Sequence, residues 1–259
     1  MRESLRLNPT PNPSALSGLG ALANARHDFE QALSLAQQSL QLNPYSADAY
    51  GVLVDAQTQL GHSASEAIQH MLDLRPELPA LSRAAYDLEL HGHLDASADL
   101  WHRALTSATS PSDLAFVHEQ LGNLALKQSD LPLATTEFQL AGSLLGLAEV
   151  DAARGDLPAA LARYRELTLA RPSLSLLVEY AALLARANRP AEAETQLTLA
   201  DAARKLLRAN GGTDNLAAAE IALVRGDYPT ALDLAQREWQ RRQHPDVAAV
   251  LARAQAGHP

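Results

Sequence analysis

The sequence predicts an all-α protein made of consecutive antiparallel helical hairpins, an α-solenoid. Three observations lead there. Composition is the first: 47% of the 259 residues are hydrophobic but only 4% are aromatic. The apolar content is mostly Ala and Leu, which favour helices, and small Ala side chains let neighbouring helices approach closely. The second is a turn signature that recurs along the chain. The third is an apolar stripe at a fixed distance from each turn.

The turn signature reads Ser129-Asp130-Leu131-Pro132, Gly155-Asp156-Leu157-Pro158, Asn188-Arg189-Pro190 and Gly226-Asp227-Tyr228-Pro229. Asp at such a place caps a helix by accepting a hydrogen bond from an orphan backbone N–H. Pro in the first helical turn sacrifices no bond, because that N–H has no helical partner. Gly just before it closes the preceding helix in a left-handed conformation. Each segment therefore predicts helix, tight turn, helix.

A small residue follows each turn five positions on: Ser97 after Gly92, Ala134 after Ser129, Ala160 after Gly155, Ala193 after Asn188 and Ala231 after Gly226. Trp101, Phe138, Tyr164, Leu197 and Ala235 come four positions later, then Ala104, Ala141, Leu167, Ala200 and Glu238 after three more. That i, i+4, i+7 spacing is one helix face. The preceding helices carry matching pairs: Leu19-Gly20, Leu53-Val54, Ala84-Ala85, Leu121-Gly122, Leu147-Ala148, Tyr180-Ala181 and Ala218-Ala219. The small residue of each pair marks where two helices of a hairpin nearly touch. Pro44, Pro79 and Pro172 are expected to stop the helices before them.

With a period of about 34 residues, the pattern of large-Leu-Gly, small Ala, aromatic and Pro resembles the tetratricopeptide repeat. Residues 47–79, 78–111, 141–173 and 174–207 show the spacing well. The resemblance implies one right-handed superhelical domain over 1–259. Residues 1–12 would be an orphan half repeat, 13–242 about seven hairpins, and 243–259 a C-terminal capping helix. Two irregularities are expected: a short repeat near 115–140, where Ala141-Gly142-Ser143 runs straight into the next helix, and a long second helix from Ala191 to Ala209. Glu3-Ser4-Leu5-Arg6-Leu7-Asn8-Pro9 parallels Gln38-Ser39-Leu40-Gln41-Leu42-Asn43-Pro44, so the chain is expected to begin in mid-repeat. His27-Asp28-Phe29, Tyr50 to Gly61, Tyr86 to Gly92, Leu206 to Gly212 and Arg237-Glu238-Trp239 resemble a bacterial family of tetratricopeptide proteins. That likeness brings no assigned biochemical activity with it. It does imply that longer members carry more repeat sequence and often an export signal upstream.

The formal net charge is -9, and lysine occurs only at Lys127 and Lys205. An acidic surface repels phosphates, so nucleic acid is not an expected partner. No cysteine is present, which excludes disulfides and thiolate metal sites. No apolar run is long enough to span a bilayer, so no membrane insertion is expected. The N-terminus lacks the regions of a signal peptide, which points to the cytoplasm; export is the alternative if an upstream signal has been removed. No P-loop, GxGxxG, GxSxG or HExxH occurs, so neither an enzyme nor a cofactor is expected. His91-Gly92-His93 with His102 could converge on a metal, which makes a small-molecule or metal-binding module over His91–His102 a third hypothesis, but no carboxylate or thiol set completes a shell, and they read better as helix-end residues facing water. Trp101, Phe138 and Tyr164 read as core between repeats.

In the tetratricopeptide family the first helices line the concave face. The resemblance therefore places Asp48, Asp55, Arg83, Tyr86, Glu89, Glu119, Asn123, Lys127, Glu149, Glu179, Arg186 and Glu220 on the groove, with Asn24 and Gln120 beside them. The bland alternative is an ordinary solvated helix face. The set is mainly acidic with three isolated cations, Arg83, Lys127 and Arg186, and predicts a neutral or basic protein segment as ligand. Ser17, Ala21 and Val52 stand where some family members carry a Lys/Asn/Arg clamp for a C-terminal carboxylate, so that mode is not expected. A second hypothesis is self-assembly, with Leu5 and Leu7 of the half repeat docking on another copy. A monomer by light scattering at every concentration would rule it out.

Overall fold

The computed structural model describes residues 12–257 apart from 211 and 213. The half repeat read over residues 1–12, with Leu5 and Leu7, therefore lies outside the described residues except for Asn12. The described chain forms fifteen helices and no strand. They are α1 Pro13–Ala25, α2 Phe29–Leu42, α3 Ala47–Leu60, α4 Ser65–Leu74, α5 Leu78–Leu90, α6 Leu94–Ser107, α7 Pro111–Lys127, α8 Leu131–Ala141, α9 Leu144–Arg154, α10 Leu157–Ala170, α11 Leu174–Arg186, α12 Pro190–Ala209, α13 Asn215–Val224, α14 Tyr228–Arg241 and α15 Pro245–Ala256. Odd-numbered helices up to α13 open a hairpin and even-numbered helices close it. The fold class is thus the all-α helical repeat that the sequence predicts.

The turns explain the periodicity. Asp130 and Asp156 accept a hydrogen bond from the backbone N–H of Leu133 and Ala159, at 3.1 Å each, and so start α8 and α10. Gly92, Gly155 and Gly226 have φ of 79°, 81° and 76°. Ser129 and Asn188 occupy the same turn position at φ of 61° and 57°, and so does His27 at 60°. A side chain there costs energy that glycine avoids, yet the hairpin geometry enforces it. Five residues on, Ala32, Ser97, Ala134, Ala160, Ala193 and Ala231 are all buried, at most 4% exposed.

The large position behind them fills the space between helices. Trp101, Phe138, Tyr164 and Leu197 are buried. Phe138 is wedged so tightly that a Cβ on Gly122 or Gly146 would lie 2.7 or 2.1 Å from its ring. Gly20 plays the same part beside Val52, where an added Cβ would stand 2.8 Å from a methyl group. Both irregularities are present. Gly142, at φ 67°, ends α8, and Ser143 already caps α9 through the Gly146 N–H; α12 runs for 20 residues.

One expectation is corrected. Pro79 stops no helix; it sits in the first turn of α5, while α4 ends at Leu74 before Arg75 and Pro76. Pro tolerates either place, and Arg75-Pro76-Glu77-Leu78-Pro79 offers both.

Backbone proximity divides the chain into two compact units. The first comprises residues up to Ser107 together with Arg241–His244; the second comprises Ala108–Gln240 and the residues from Pro245 onward. Each has its own apolar core. In the first, Ala23, Ala32, Ala36, Val52 and Ala56 gather in one cluster, and Val54, Ile68, Met71 and Ala84 in the next. In the second, Leu177, Tyr180, Leu184 and Leu197 lead the largest cluster.

Candidate functional site

In the first unit, Asp48 and Asp55 lie on α3 and Arg83 on α5. All three line a cleft of about 410 Å3 whose wall also holds Ser17, Ala21 and Val52. Arg83 grips Asp55 with two parallel bonds, Nε to Oδ1 at 2.8 Å and Nη2 to Oδ2 at 2.7 Å, and its Nη1 donates to the Pro79 carbonyl at 2.9 Å. Arg83 is therefore not the isolated cation expected from the sequence, and Asp55 brings no net charge to the cleft. The two residues sit on neighbouring first helices, where a planar guanidinium matches a carboxylate bidentately. Ser17 is buried against Ser39, oxygen to oxygen at 2.8 Å. Asn24 donates to the Val52 carbonyl at 3.1 Å and ties α1 to α3. Tyr86 and Glu89 lie further along α5 and do not line this cleft.

In the second unit, Glu119, Asn123 and Lys127 lie on α7, Glu149 on α9, Glu179 and Arg186 on α11, and Glu220 on α13. Glu149, Glu179 and Arg186 share a cleft of about 460 Å3 with Tyr164. Burial pushes the Glu149 carboxyl up to about 7, and the charges of Glu179 and Glu119 push the same way. Burial also raises Glu179, although its side chain reaches solvent; a hydrogen bond donated by the Tyr164 hydroxyl at 3.4 Å opposes this. Glu220 is raised to about 7, first by burial, with Arg253 of α15 opposing. Glu119 accepts from the Ser143 hydroxyl at 3.1 Å. Asn123 and Lys127 follow Glu119 along α7 and are absent from the cleft wall.

Sequence reading misses three groups here. Tyr164 reads as core, and its ring is there, stacked on Tyr180 with centroids 6.0 Å apart. Its hydroxyl nevertheless reaches the carboxylate row. Ser143 and Arg253 also touch or face that row. The one signal in the sequence is that Tyr carries a hydroxyl where the other repeats carry Trp, Phe, Leu or Ala.

His91, His93 and His102 do not assemble a site. His91 donates from Nδ1 to the Asp87 carbonyl at 2.7 Å, and all three are exposed. Among the described residues no three or more His, Asp or Glu side chains are grouped to hold a metal, and no helix is long and apolar enough to cross a membrane.

The stacked hairpins, with a left-handed turn and a buried small residue in each, match solved structures. A thermophilic tetratricopeptide protein from Thermus thermophilus superposes with a TM-score of 0.59, at 24% identity, over 67% of this chain and 99% of that one. The fold is that of a tetratricopeptide-repeat protein. A tetratricopeptide protein from Parabacteroides merdae covers 94% of this chain and 98% of its own, at 13% identity and a TM-score of 0.55. Cut9, in the Cut9-Hcn1 hetero-tetramer of APC/C, covers 96% of this chain and 50% of its own, at 15% identity and a TM-score of 0.57. No protein-family model and no curated protein matches the sequence. Both clefts are lined mainly by the first helices of successive hairpins.

Proposed function

We propose that the chain is a non-catalytic scaffold whose first-helix face binds a neutral or basic protein segment, with the carboxylates of the second unit as the main contact. One observation carries this reading. Glu119, Glu149 and Glu179 stand on three successive first helices, the outer two close enough to disfavour the charge of Glu149, and Glu149 and Glu179 line an open cleft. A lysine or arginine from a partner relieves that repulsion and gains a poorly hydrated ion pair. Several modest contacts of this kind along a segment supply affinity. Cut9 supports the general use of the fold, since its structure is that of a complex with Hcn1. A phosphate backbone would meet the same carboxylates and be repelled, so nucleic acid is not the partner.

Titration calorimetry with a lysine-rich and a glutamate-rich peptide of equal length tests this. The lysine-rich peptide should bind, and added salt should weaken it. The double variant Glu119→Lys, Glu149→Lys should lose it. Undiminished binding by that variant would place the contact elsewhere, and preference for the acidic peptide would end the reading.

A further inference from the structure

The first unit contains four residues from far along the sequence. Arg241–His244 belongs to it by contact, although in the chain it is the last residue of α14 and the link to α15. Two of these residues are almost wholly buried: Arg242 is 7% exposed and His244 is 0%. Arg is seldom buried without specific partners. Here the partners come from the ends of three hairpins. The Arg242 guanidinium stands over the Phe29 ring, 5.9 Å from its centroid, and its Nη1 donates to the Gln59 side-chain carbonyl at 2.6 Å. His244 stacks on Tyr86 and hydrogen-bonds its hydroxyl through Nε2 at 3.1 Å. Arg241 donates to the His27 backbone carbonyl at 3.1 Å.

Gly61 marks how close the approach is. A Cβ there would lie 2.8 Å from the Gln243 carbonyl oxygen and 2.9 Å from its Cβ. The comparable turn glycines Gly92, Gly155 and Gly226 have nothing within 4 Å of that point. Glycine at those three turns serves the left-handed backbone alone; at Gly61 it also admits another stretch of chain.

These contacts are made through side chains. An aromatic face takes a guanidinium, an amide oxygen takes its N–H, and a tyrosine takes an imidazole edge and face. That is how a binding site reads a short basic segment. We propose that this hairpin edge of the first unit is a recognition site for an Arg-x-His segment, and that Arg242 and His244 of the same chain are its resident occupant. Another segment of that chemistry can enter only when the resident leaves. This site is separate from the carboxylate row, so the two readings stand or fall independently.

Fluorescence polarisation of a labelled Arg-Arg-Gln-His-Pro peptide on the full chain tests this. The peptide should bind the Arg242→Ala, His244→Ala variant about tenfold or more tighter than the unaltered chain. Adding Phe29→Ala to that variant should remove the binding. No binding by the variant, or equal binding by both chains, overturns the proposal. A second readout is independent of how the variant folds. Trypsin should cut after Arg241 and Arg242 more slowly than after the exposed helix-end residue Arg154 in the same molecules. Gly61→Ala should raise that ratio and Gly92→Ala should leave it unchanged; equal cutting at the two places in the unaltered chain, or the same effect from both variants, overturns resident occupancy.

Discussion

The two clefts sit on equivalent helices but handle charge in opposite ways. In the first unit, one carboxylate meets one guanidinium across a single repeat step, and the Asp55–Arg83 pair is self-sufficient. In the second, carboxylates face carboxylates across the same step, and Glu149 and Glu179 form no ion pair among the described residues. A paired cleft has its needs met from within. An unpaired one carries an electrostatic penalty that a cationic ligand removes. Repetition of a fold therefore does not repeat its electrostatics; which charges fall on adjacent first helices decides them.

The largest effect should come from breaking the frame of each cleft. Gly146→Ala drives a methyl group into Phe138, which separates the helices bearing Glu119 and Glu149, and should cost about 3 kcal/mol or more. Shrinking Phe138 to Leu in the same chain should recover part of that loss. Gly20→Ala in the first unit meets a single Val52 methyl that can shift, and should cost about 1–2 kcal/mol. Urea denaturation of the three variants measures both.

Removing one charge should act with opposite sign in the two places. Arg83→Ala leaves Asp55 half-buried and alone, and should destabilise by about 1 kcal/mol once solvent screening is allowed for. Glu149→Gln removes a penalty and should stabilise the chain at a pH above about 7. The pH dependence follows from the same groups. Glu149 and Glu220 have folded values of about 7 against an ordinary value of 4.5. The folded chain thus holds more protons between these values, and this contribution to stability is complete below 4.5 and lost as pH rises through about 7. The melting temperature should fall by a few degrees, on the order of 5 °C, as pH rises through that window, and Glu149→Gln with Glu220→Gln should flatten the fall.

The smallest effects should come from the turns. Ser129→Gly relieves a left-handed backbone and should stabilise the second unit by about 0.5–1 kcal/mol. His27→Gly in the first unit should gain less, because His27 also stacks on Phe29 with centroids 5.6 Å apart. Thermal melts of the two variants make the comparison.

Much of the fold is legible because it is written locally. Gly92, Ser129, Gly155, Asn188 and Gly226 mark the left-handed turns, and the small residue five positions on marks the buried contact. Pro79 misleads because a helix stop and a helix start accept the same residue. The site is legible only as a set of positions on first helices. That Asp55 is neutralised by Arg83 depends on the register of two helices, which periodicity does not fix. That Tyr164 lends a hydroxyl to Glu179 depends on ring direction. Nothing in the run Arg241-Arg242-Gln243-His244 announces that Arg242 and His244 are buried against residues more than a hundred positions earlier.

The unpaired carboxylates can be tested directly by counting protons. A cation that binds beside Glu149 favours its ionised form and must expel the proton it holds near neutrality. Titration calorimetry of a lysine-rich peptide at about pH 7, in two buffers of different ionisation enthalpy, gives the number released. Release of up to about one proton per peptide is expected, abolished by Glu149→Gln together with Glu220→Gln. Binding with no proton release, or with uptake, would contradict the assignment of the second unit's carboxylates as the contact.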